Sequence, residues 1–301
     1  MKLGGVIAAI ATGVDARGDP DRTRSVALAR FLLANGCDGL NVLGTTGEAT
    51  SFSVEQRKAV MNAYREAGLP LQRLMVGTGA ASVADAVALT RHAGELGFAG
   101  ALVLPPFYYK GVPDEGLIAY IGAIVEATSA NPVPLYLYHF PAQSGLPWHI
   151  ALVKRLRERF GSRLVGLKDS SGDMAYAREV AAIDAAFAVF PSTEAVLIEA
   201  RSGRFAGCIS ATANLNADLC AKAWRTGDAG ALDQAVAIRK LFDGKQLVPG
   251  VKALIAHIHK EAEWSRVQPP LFAYTAAEQA EIAVRHDRLR ALGARAPAMA
   301  G

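Results

Sequence analysis

Short apolar runs alternate with amphipathic segments along most of the chain. Eight of these runs are almost continuously hydrophobic, which is the composition of strands that a parallel sheet buries on both faces. Strands that alternate with helical segments predict helical crossovers, and eight such units favour an α/β fold in which the sheet closes into a (β/α)8 TIM barrel. The eight runs are GVIAAIAT, GLNVLG, RLMVGTG, GALVLP, VPLYLYHF, LVGLKDS, AFAVFPS and GCISATA.

The segments between the strands carry recognisable helix ends. Ser53 and Gln56 have the spacing of a capping box, and Ser82 is placed to begin the following helix. After about residue 225 the strand pattern stops, and three amphipathic segments predict helices only. We therefore divide the chain into a barrel, residues 1–225, and a C-terminal helical region, residues 226–301.

The sixth predicted strand ends in a lysine, within the stretch LVGLKDSSGD. Strict alternation of side chains puts Leu164, Gly166 and Lys168 on one face, and the C-terminal ends of barrel strands carry catalytic groups. A lysine that is buried there without a carboxylate partner is more readily the neutral amine, which attacks a carbonyl carbon. The alternative is a lysine whose ammonium group reaches solvent at the barrel mouth.

Three other strand ends carry groups suited to the same chemistry. The fifth strand has Tyr136 and Tyr138 on one face, and the phenol of Tyr138 is placed for proton transfer, unless both rings only fill the barrel. The second strand ends in GTTGE, Gly44 to Glu48, whose hydroxyls and backbone amides suit a carboxylate, although an ordinary tight turn has the same composition. Tyr108 and Tyr109 follow the fourth strand, either at this mouth or across a subunit boundary.

Composition argues against several other functions. The net charge is only +4 and no basic stripe for nucleic acid is present, while no window has the roughly 18 consecutive apolar residues of a membrane span. The histidines lack zinc-type spacing and GTGAAS lacks the third glycine of a dinucleotide fingerprint, so we expect neither a metal nor a cofactor. Cys37, Cys208 and Cys220 lack metal or redox spacing, which favours buried free thiols in a reducing cytoplasm.

The motifs together resemble one superfamily of enzymes. GTTGE after the second strand, the Y-x-x-P motif YHFP after the fifth, GLKDSSGD around the lysine of the sixth and GCISATAN in the eighth occur in a characteristic order. In this order and spacing the chain resembles, over nearly its whole length, the dihydrodipicolinate synthase and N-acetylneuraminate lyase superfamily of pyruvate-dependent class I aldolases. The resemblance implies an enzyme that forms a Schiff base with a 2-oxo acid.

The resemblance also implies roles for the strand-end residues. Lys168 would form the Schiff base with the ketone, and Tyr138 matches the general acid and base of the family. Thr45 matches the threonine of the proton relay. Thr46, with the nearby backbone amides at Gly47, would hold the substrate carboxylate.

Further roles follow from the resemblance at the rim of the site. Tyr109 best matches a tyrosine contributed by a neighbouring subunit, with Tyr108 as the alternative because the PPFYYKG alignment can slip by one, and this predicts a homo-oligomer, a dimer or tetramer. Ile209 matches a position whose backbone carbonyl faces the pyruvyl group. Gln143 stands where dihydrodipicolinate synthases place an arginine, and a neutral amide cannot make the bidentate carboxylate contact of an arginine.

These observations predict a cytoplasmic lyase that acts on pyruvate or a pyruvate-derived 2-oxo acid and an aldehyde. Because Gln143 suits hydroxylated partners better than anionic ones, we favour retro-aldol cleavage of a 2-oxo-3-deoxy sugar acid over the synthesis of dihydrodipicolinate. One alternative is dehydration of a 2-oxo-3-deoxy acid through the same imine. The alternative from another class is a non-catalytic barrel that binds keto acids.

Overall fold

Eight parallel strands make up one sheet in the computed structural model, which describes residues 3–295, with the backbone alone for residues 293–295. Each strand begins within a predicted apolar run. Most strands end before the run does. The strands are β1 Gly5–Ala9, β2 Gly39–Val42, β3 Leu74–Gly77, β4 Gly100–Val103, β5 Leu135–His139, β6 Leu164–Asp169, β7 Ala188–Pro191 and β8 Gly207–Ser210.

The sheet curls until its two edge strands, β7 and β8, lie next to each other. The strand order is β8, β1, β2, β3, β4, β5, β6, β7, and every pairing between neighbours is parallel. Between β7 and β8 the backbone amide of Ala206 donates to the carbonyl of Val189 at 3.0 Å, which nearly closes the ring. The predicted (β/α)8 barrel is confirmed.

Helices follow the strands as the sequence predicts. The capping box is formed, since the amide of Gln56 donates to Ser53 Oγ at 3.2 Å and the amide of Ser53 donates to Gln56 Oε1 at 2.9 Å. Ser82 caps the next helix through the amide of Asp85 at 3.4 Å. The helices are α1 Arg22–Ala34, α2 Val54–Glu66, α3 Val83–Leu96, α4 Asp114–Ala127, α5 Ile150–Phe160, α6 Met174–Ala181, α7 Leu197–Ala200, α8 Ala213–Thr226, α9 Ala229–Arg239, α10 Leu247–His259 and α11 Ala276–Arg295, with an extra short helix at Pro141–Ser144.

The last three helices, α9 to α11, form the C-terminal helical region that the sequence predicts. Helix α9 packs against α8 and α11, and α10 packs against α8 and α11 as well. Residues 296–301 of the predicted region lie outside the described residues, and the boundary near residue 225 stays a prediction. Within residues 3–295 no helix combines the length and the apolar character that crossing a membrane requires.

Apolar side chains form two layers around the strands. The larger layer lies between the sheet and the surrounding helices, and it includes Val6, Leu40, Leu74 and Leu167. The smaller layer fills the inside of the barrel, so the barrel is a packed core rather than a channel. Its buried members are Leu3, Ile7, Ala9, Met75, Leu102, Tyr136, Tyr138, Ala188, Phe190 and Ile209.

One predicted face assignment is wrong, because the pairing of β5 with β6 contains a bulge. Leu135 is paired with Leu164 but Tyr136 is paired with Gly166, so Val165 is the extra residue. As a result Leu164 packs in the outer layer, whereas Val165 packs against the inner one. Alternation resumes after the bulge, and Lys168 remains on the inner face, as the sequence predicts.

The close approach of strands around Gly166 generates a prediction. A Cβ atom there would lie 2.3 Å from the carbonyl oxygen of Ala188 and 2.7 Å from the ring of Tyr136. We expect Gly166→Ala to lower the free energy of unfolding by about 3 kcal/mol, measured by urea denaturation. Gly122→Ala on α4 is the matched control: its Cβ would lie 3.6 Å from the ring of Phe160, and we expect unchanged or slightly higher stability. Equal stability of the two variants would contradict the prediction.

Candidate active site

The C-terminal ends of the barrel strands surround a cavity of about 550 Å³. Six of the predicted site residues line it: Thr45, Thr46, Tyr138, Gln143, Lys168 and Ile209. The other two, Gly47 and Tyr109, do not. Because parallel strands all end on the same side of a barrel, residues far apart in the sequence converge at this mouth.

Lys168 occupies the inner face of β6 near its C-terminal end. Lys168 is only 4% exposed, which favours a buried amine over an ammonium group that reaches solvent at the barrel mouth. Nζ lies 4.5 Å from the centre of the Tyr138 ring, and it makes no ion pair with a carboxylate in the part of the chain that the structure describes. The neighbouring Asp169 is also buried, and burial raises the pKa of its carboxyl group, while Oδ1 accepts from the amide of Ser171 at 3.0 Å.

The two tyrosines of β5 have different surroundings although they share the inner face. Tyr136 lies deeper, with its ring against Gly100 and Gly166, and burial raises the pKa of its phenol to about 12. Tyr138 lines the cavity, and its hydroxyl is 3.0 Å from Thr45 Oγ1, where either group can be the donor. The two hydroxyls therefore form one hydrogen bond at the cavity, through which a proton can pass between them.

The GTTGE turn is held in an unusual backbone conformation. Leu43 and Glu48 bracket the turn with φ of 53° and 54°, in the left-handed region that side chains rarely adopt. The amide of Glu48 donates to the carbonyl of Thr45 at 3.0 Å. Gly47 lies close to the preceding backbone, since a Cβ there would lie 3.1 Å from the backbone of Leu43. The turn is thus more constrained than an ordinary tight turn, and it directs Thr45 and Thr46 to the cavity.

Sequence reasoning missed a buried ion pair behind this turn. Lys252 Nζ on α10 lies 2.5 Å from Glu48 Oε1, and both side chains are at most 1% exposed. Burial lowers the pKa of Lys252, although the adjacent Glu48 carboxylate acts in the opposite direction. The amide of Gln268 donates to the second oxygen, Glu48 Oε2, at 2.6 Å. No local sequence pattern predicts this contact, since the two charged residues are 204 positions apart.

A second charge at the cavity was also missed. Arg239, the last residue of α9, lines the cavity, and its Nη1 donates to Glu194 Oε2 at 3.3 Å. Glu194 is fully buried and also accepts from the hydroxyls of Ser210 and Thr212. The arginine side chain is 29% exposed, and in the described residues its Nε and Nη2 atoms have no hydrogen-bond partner. Glu194 and Ser210 therefore hold the guanidinium group through Nη1 alone.

His139 supports the site from behind the sheet. It points away from the cavity, as alternation predicts, and its ring stacks on Tyr176 with centroids 4.2 Å apart. The amide of Trp148 donates to His139 Nδ1 at 3.1 Å, and the indole of Trp148 donates to the carbonyl of Tyr138 at 3.1 Å. Burial lowers the pKa of His139 to about 4, so the imidazole is neutral at physiological pH.

Tyr108 and Tyr109 lie outside the cavity in a single chain. They are 74% and 73% exposed, and their rings contact each other edge to face with centroids 5.2 Å apart. Two adjacent aromatic rings in solvent suit a contact with another protein surface. The predicted contribution of Tyr109, or of Tyr108, to a neighbouring site stays a prediction.

The remaining candidates for chemistry lie away from any site. Cys37, Cys208 and Cys220 are all buried, as predicted, and burial raises the pKa of each thiol. Among residues 3–295 no group of three or more histidine, cysteine, aspartate or glutamate side chains is arranged to hold a metal ion.

Comparison with known proteins identifies the family. The sequence model of the Dihydrodipicolinate synthetase family matches residues 2–280. A 4-hydroxy-tetrahydrodipicolinate synthase of a Synechococcus species is 34% identical over 261 residues, which are 84% of this chain and 81% of the relative. Dihydrodipicolinate synthase from Agrobacterium tumefaciens has a TM-score of 0.89 at 28% identity, covering 95% of this chain and 99% of that one.

A further solved structure of the family contains a ligand. YagE, a prophage protein from E. coli solved in complex with pyruvate, has a TM-score of 0.86 at 26% identity, covering 95% of this chain and 98% of that one. The chain belongs to the dihydrodipicolinate synthetase family. The predicted family is confirmed, and with it the prediction of an enzyme, a lyase.

The buried histidine behind β5 generates a prediction about acid stability. The pKa of His139 is about 4 in the folded chain against 6.5 for the free side chain, so the unfolded chain binds more protons between these values. This contribution to stability is present above about pH 6.5 and is lost as the pH falls towards about 4. Between these limits we expect the wild type to lose up to about 3 kcal/mol more unfolding free energy than His139→Asn, which keeps an acceptor for Trp148.

Urea denaturation at a series of pH values measures this difference. Because other histidines also titrate in this range, the comparison between wild type and variant isolates the contribution of His139. Parallel pH profiles for the two proteins would contradict the prediction.

Proposed function

We propose that the chain is a Schiff-base lyase that acts on pyruvate or a pyruvate-derived 2-oxo acid, and that its favoured reaction is retro-aldol cleavage of a 2-oxo-3-deoxy sugar acid. The observation that carries this proposal is the surroundings of Lys168. Its amine is buried without a carboxylate partner, it faces a cavity, and it lies beside a hydroxyl pair that can move protons. These are the requirements for nucleophilic attack on a ketone.

The reaction begins with attack of the Lys168 amine on C2 of the 2-oxo acid. The carbonyl electron pair moves to oxygen, which takes up a proton, and loss of water from the carbinolamine leaves a protonated imine. When the C4 hydroxyl loses its proton, the C3–C4 bond breaks, the aldehyde departs, and the electron pair enters the imine to give an enamine. Protonation at C3 and hydrolysis then release pyruvate and the free amine.

Tyr138 is the proposed general acid and base in these steps, with Thr45 as its relay. Their hydroxyls are 3.0 Å apart, and the phenol lies beside the amine that carries the reacting carbon. Tyr109 of a second copy of the chain is the proposed continuation of the relay, with Tyr108 as the alternative. Because this role requires a second subunit, we propose a dimer or tetramer as the active form.

The carboxylate of the 2-oxo acid is the proposed ligand of the GTTGE turn. Thr46 offers a hydroxyl at the cavity wall, and the backbone amides around Gly47 offer further donors. The backbone carbonyl of Ile209, across the barrel on β8, is proposed to face the pyruvyl group. These contacts fix C2 next to Lys168 without requiring a cation in the same place.

The distal part of the substrate is proposed to lie between Gln143 and Arg239. Both line the cavity, and Gln143 suits the hydroxyl groups of a sugar acid. The free edge of the Arg239 guanidinium adds a site for an anionic end group, such as a second carboxylate, or for further hydroxyls. The structure thus supports a wider range of acids than Gln143 alone suggests.

Borohydride trapping tests the proposed function. We expect incubation with pyruvate followed by reduction to add a stable group to Lys168, because only an imine is reduced to a secondary amine that survives digestion. Mass spectrometry locates the adduct. Lys168→Arg should give none, while Lys110→Arg, which changes an exposed lysine, should be labelled as strongly as the wild type.

Product analysis then separates the candidate reactions. Pyruvate released from a 2-oxo-3-deoxy acid indicates carbon–carbon cleavage, whereas a dehydrated product without pyruvate indicates the dehydratase. A folded wild type that forms no adduct with any of a panel of 2-oxo acids would refute the imine mechanism.

The cation at the cavity wall generates a separate prediction. We expect Arg239→Gln to raise KM for 2-oxo-3-deoxy acids with an anionic distal end by about tenfold or more, since an ionic hydrogen bond is lost. KM for pyruvate and for acids with a neutral end should change by less than about threefold. Steady-state kinetics on matched pairs of acids measures the ratio. Equal increases for both classes of acid would show that Arg239 acts only through Glu194 and the fold.

A further inference from the structure

Lys252 is the second buried lysine near the cavity, and the proposed reaction does not use it. It is 0% exposed on α10, and its Nζ lies 2.5 Å from Glu48 Oε1. The amide of Gln268 donates to the other carboxylate oxygen at 2.6 Å. Both oxygens of Glu48 are therefore fixed by residues from the C-terminal helical region.

Glu48 is directly connected to the proton relay. It ends the GTTGE turn with φ of 54°, and its amide donates to the carbonyl of Thr45 at 3.0 Å. Thr45 Oγ1 in turn lies 3.0 Å from the hydroxyl of Tyr138. Surrounding contacts hold a residue with a Cβ atom in the left-handed conformation. At Glu48 they are the two contacts of the carboxylate together with its backbone hydrogen bonds, including the one in which the amide of Ser51 donates to the Glu48 carbonyl at 2.9 Å.

Stability alone is a poor explanation for this ion pair. Removing two charges from water costs free energy that their attraction often fails to offset. Replacing a buried ion pair by apolar residues of similar size often leaves the stability of a protein unchanged or raises it. Burial lowers the pKa of Lys252, while the adjacent Glu48 carboxylate acts in the opposite direction. What an ion pair adds over an apolar contact is a fixed direction and distance between its two partners.

We propose that Lys252 is a positioning residue for catalysis, which acts through Glu48 to hold the turn that places Thr45 against Tyr138. The inference rests on the proposed roles of Thr45 and Tyr138. Under this proposal the C-terminal helical region contributes to catalysis indirectly, because Lys252 on α10 supplies the cation that pairs with Glu48 of the GTTGE turn. Lys252 itself contacts neither the substrate nor the reacting amine.

A double-mutant cycle tests this role with pyruvate as the probe. Deuterium exchange of the pyruvate methyl group in D2O, followed by NMR, reports enamine formation at Lys168 without requiring the aldehyde. We expect Lys252→Met to lower kcat for exchange by between about tenfold and about 100-fold, because a misplaced relay is slow. In a Thr45→Val background, the same change should lower kcat by less than roughly twofold, because the relay is already absent.

The matched control is Lys245→Met. Lys245 belongs to the same C-terminal region and also pairs with a glutamate, Glu281, at 3.4 Å, but that pair is exposed. We expect the exchange rate of this control to be unchanged in both backgrounds. The proposal is overturned if Lys252→Met leaves kcat within roughly twofold of the wild type, or if it costs the same factor with and without Thr45.

A second variant keeps the test valid if Lys252→Met fails to fold. Glu48→Gln combined with Lys252→Met removes both buried charges at once. We expect this double variant to lower kcat for exchange by between about tenfold and about 100-fold when Thr45 is present, and by less than roughly twofold in the Thr45→Val background. A crystal structure of this double variant should show that Thr45 Oγ1 has moved out of contact with the Tyr138 hydroxyl. Retention of that contact would overturn the role of Lys252 whether or not any 2-oxo acid reacts, whereas a wild type without an imine adduct counts against the proposed function alone.

Discussion

The pairing of β5 with β6 is the interaction on which the site depends. Its register sets Tyr138 beside Lys168. Because Leu164 packs outward, the bulge at Val165 is what keeps Lys168 on the inner face of β6. Shifting a strand by one residue moves every side chain to the opposite face. The position of the Lys168 amine beside the Tyr138 phenol on the inner face therefore depends on the register of one pair of strands.

Two buried glutamates connect the barrel to the helices that follow it. Glu48 comes after β2 and pairs with Lys252 on α10, while Glu194 comes after β7 and pairs with Arg239 on α9. A buried carboxylate without a partner is costly, so each glutamate constrains where the C-terminal helices pack. The same helices form part of the cavity wall, and the packing that satisfies the charges also shapes the space for the substrate.

Local patterns were sufficient for most of the fold and for the centre of the site. Apolar runs predicted the eight strands because strands buried on both faces must be apolar, and the spacing of Ser53 and Gln56 predicted a helix start that depends on neighbouring residues only. Alternation placed Lys168 and Tyr138 correctly. Alternation put Leu164 on the wrong face, because a bulge depends on how two strands pair and cannot be recognised from the sequence of one strand.

The sequence by itself determined the elements, their order, and the chemical groups at the strand ends, because these follow from periodicity and from residue type. Only the tertiary structure decided which distant groups meet. The pairing of Glu48 with Lys252, 204 positions away, and the arrival of Arg239 at the cavity depend on how the C-terminal helices pack on the barrel. A charge attracts any opposite charge, so its partner is chosen by the packing that brings the two together and not by a pattern in the chain.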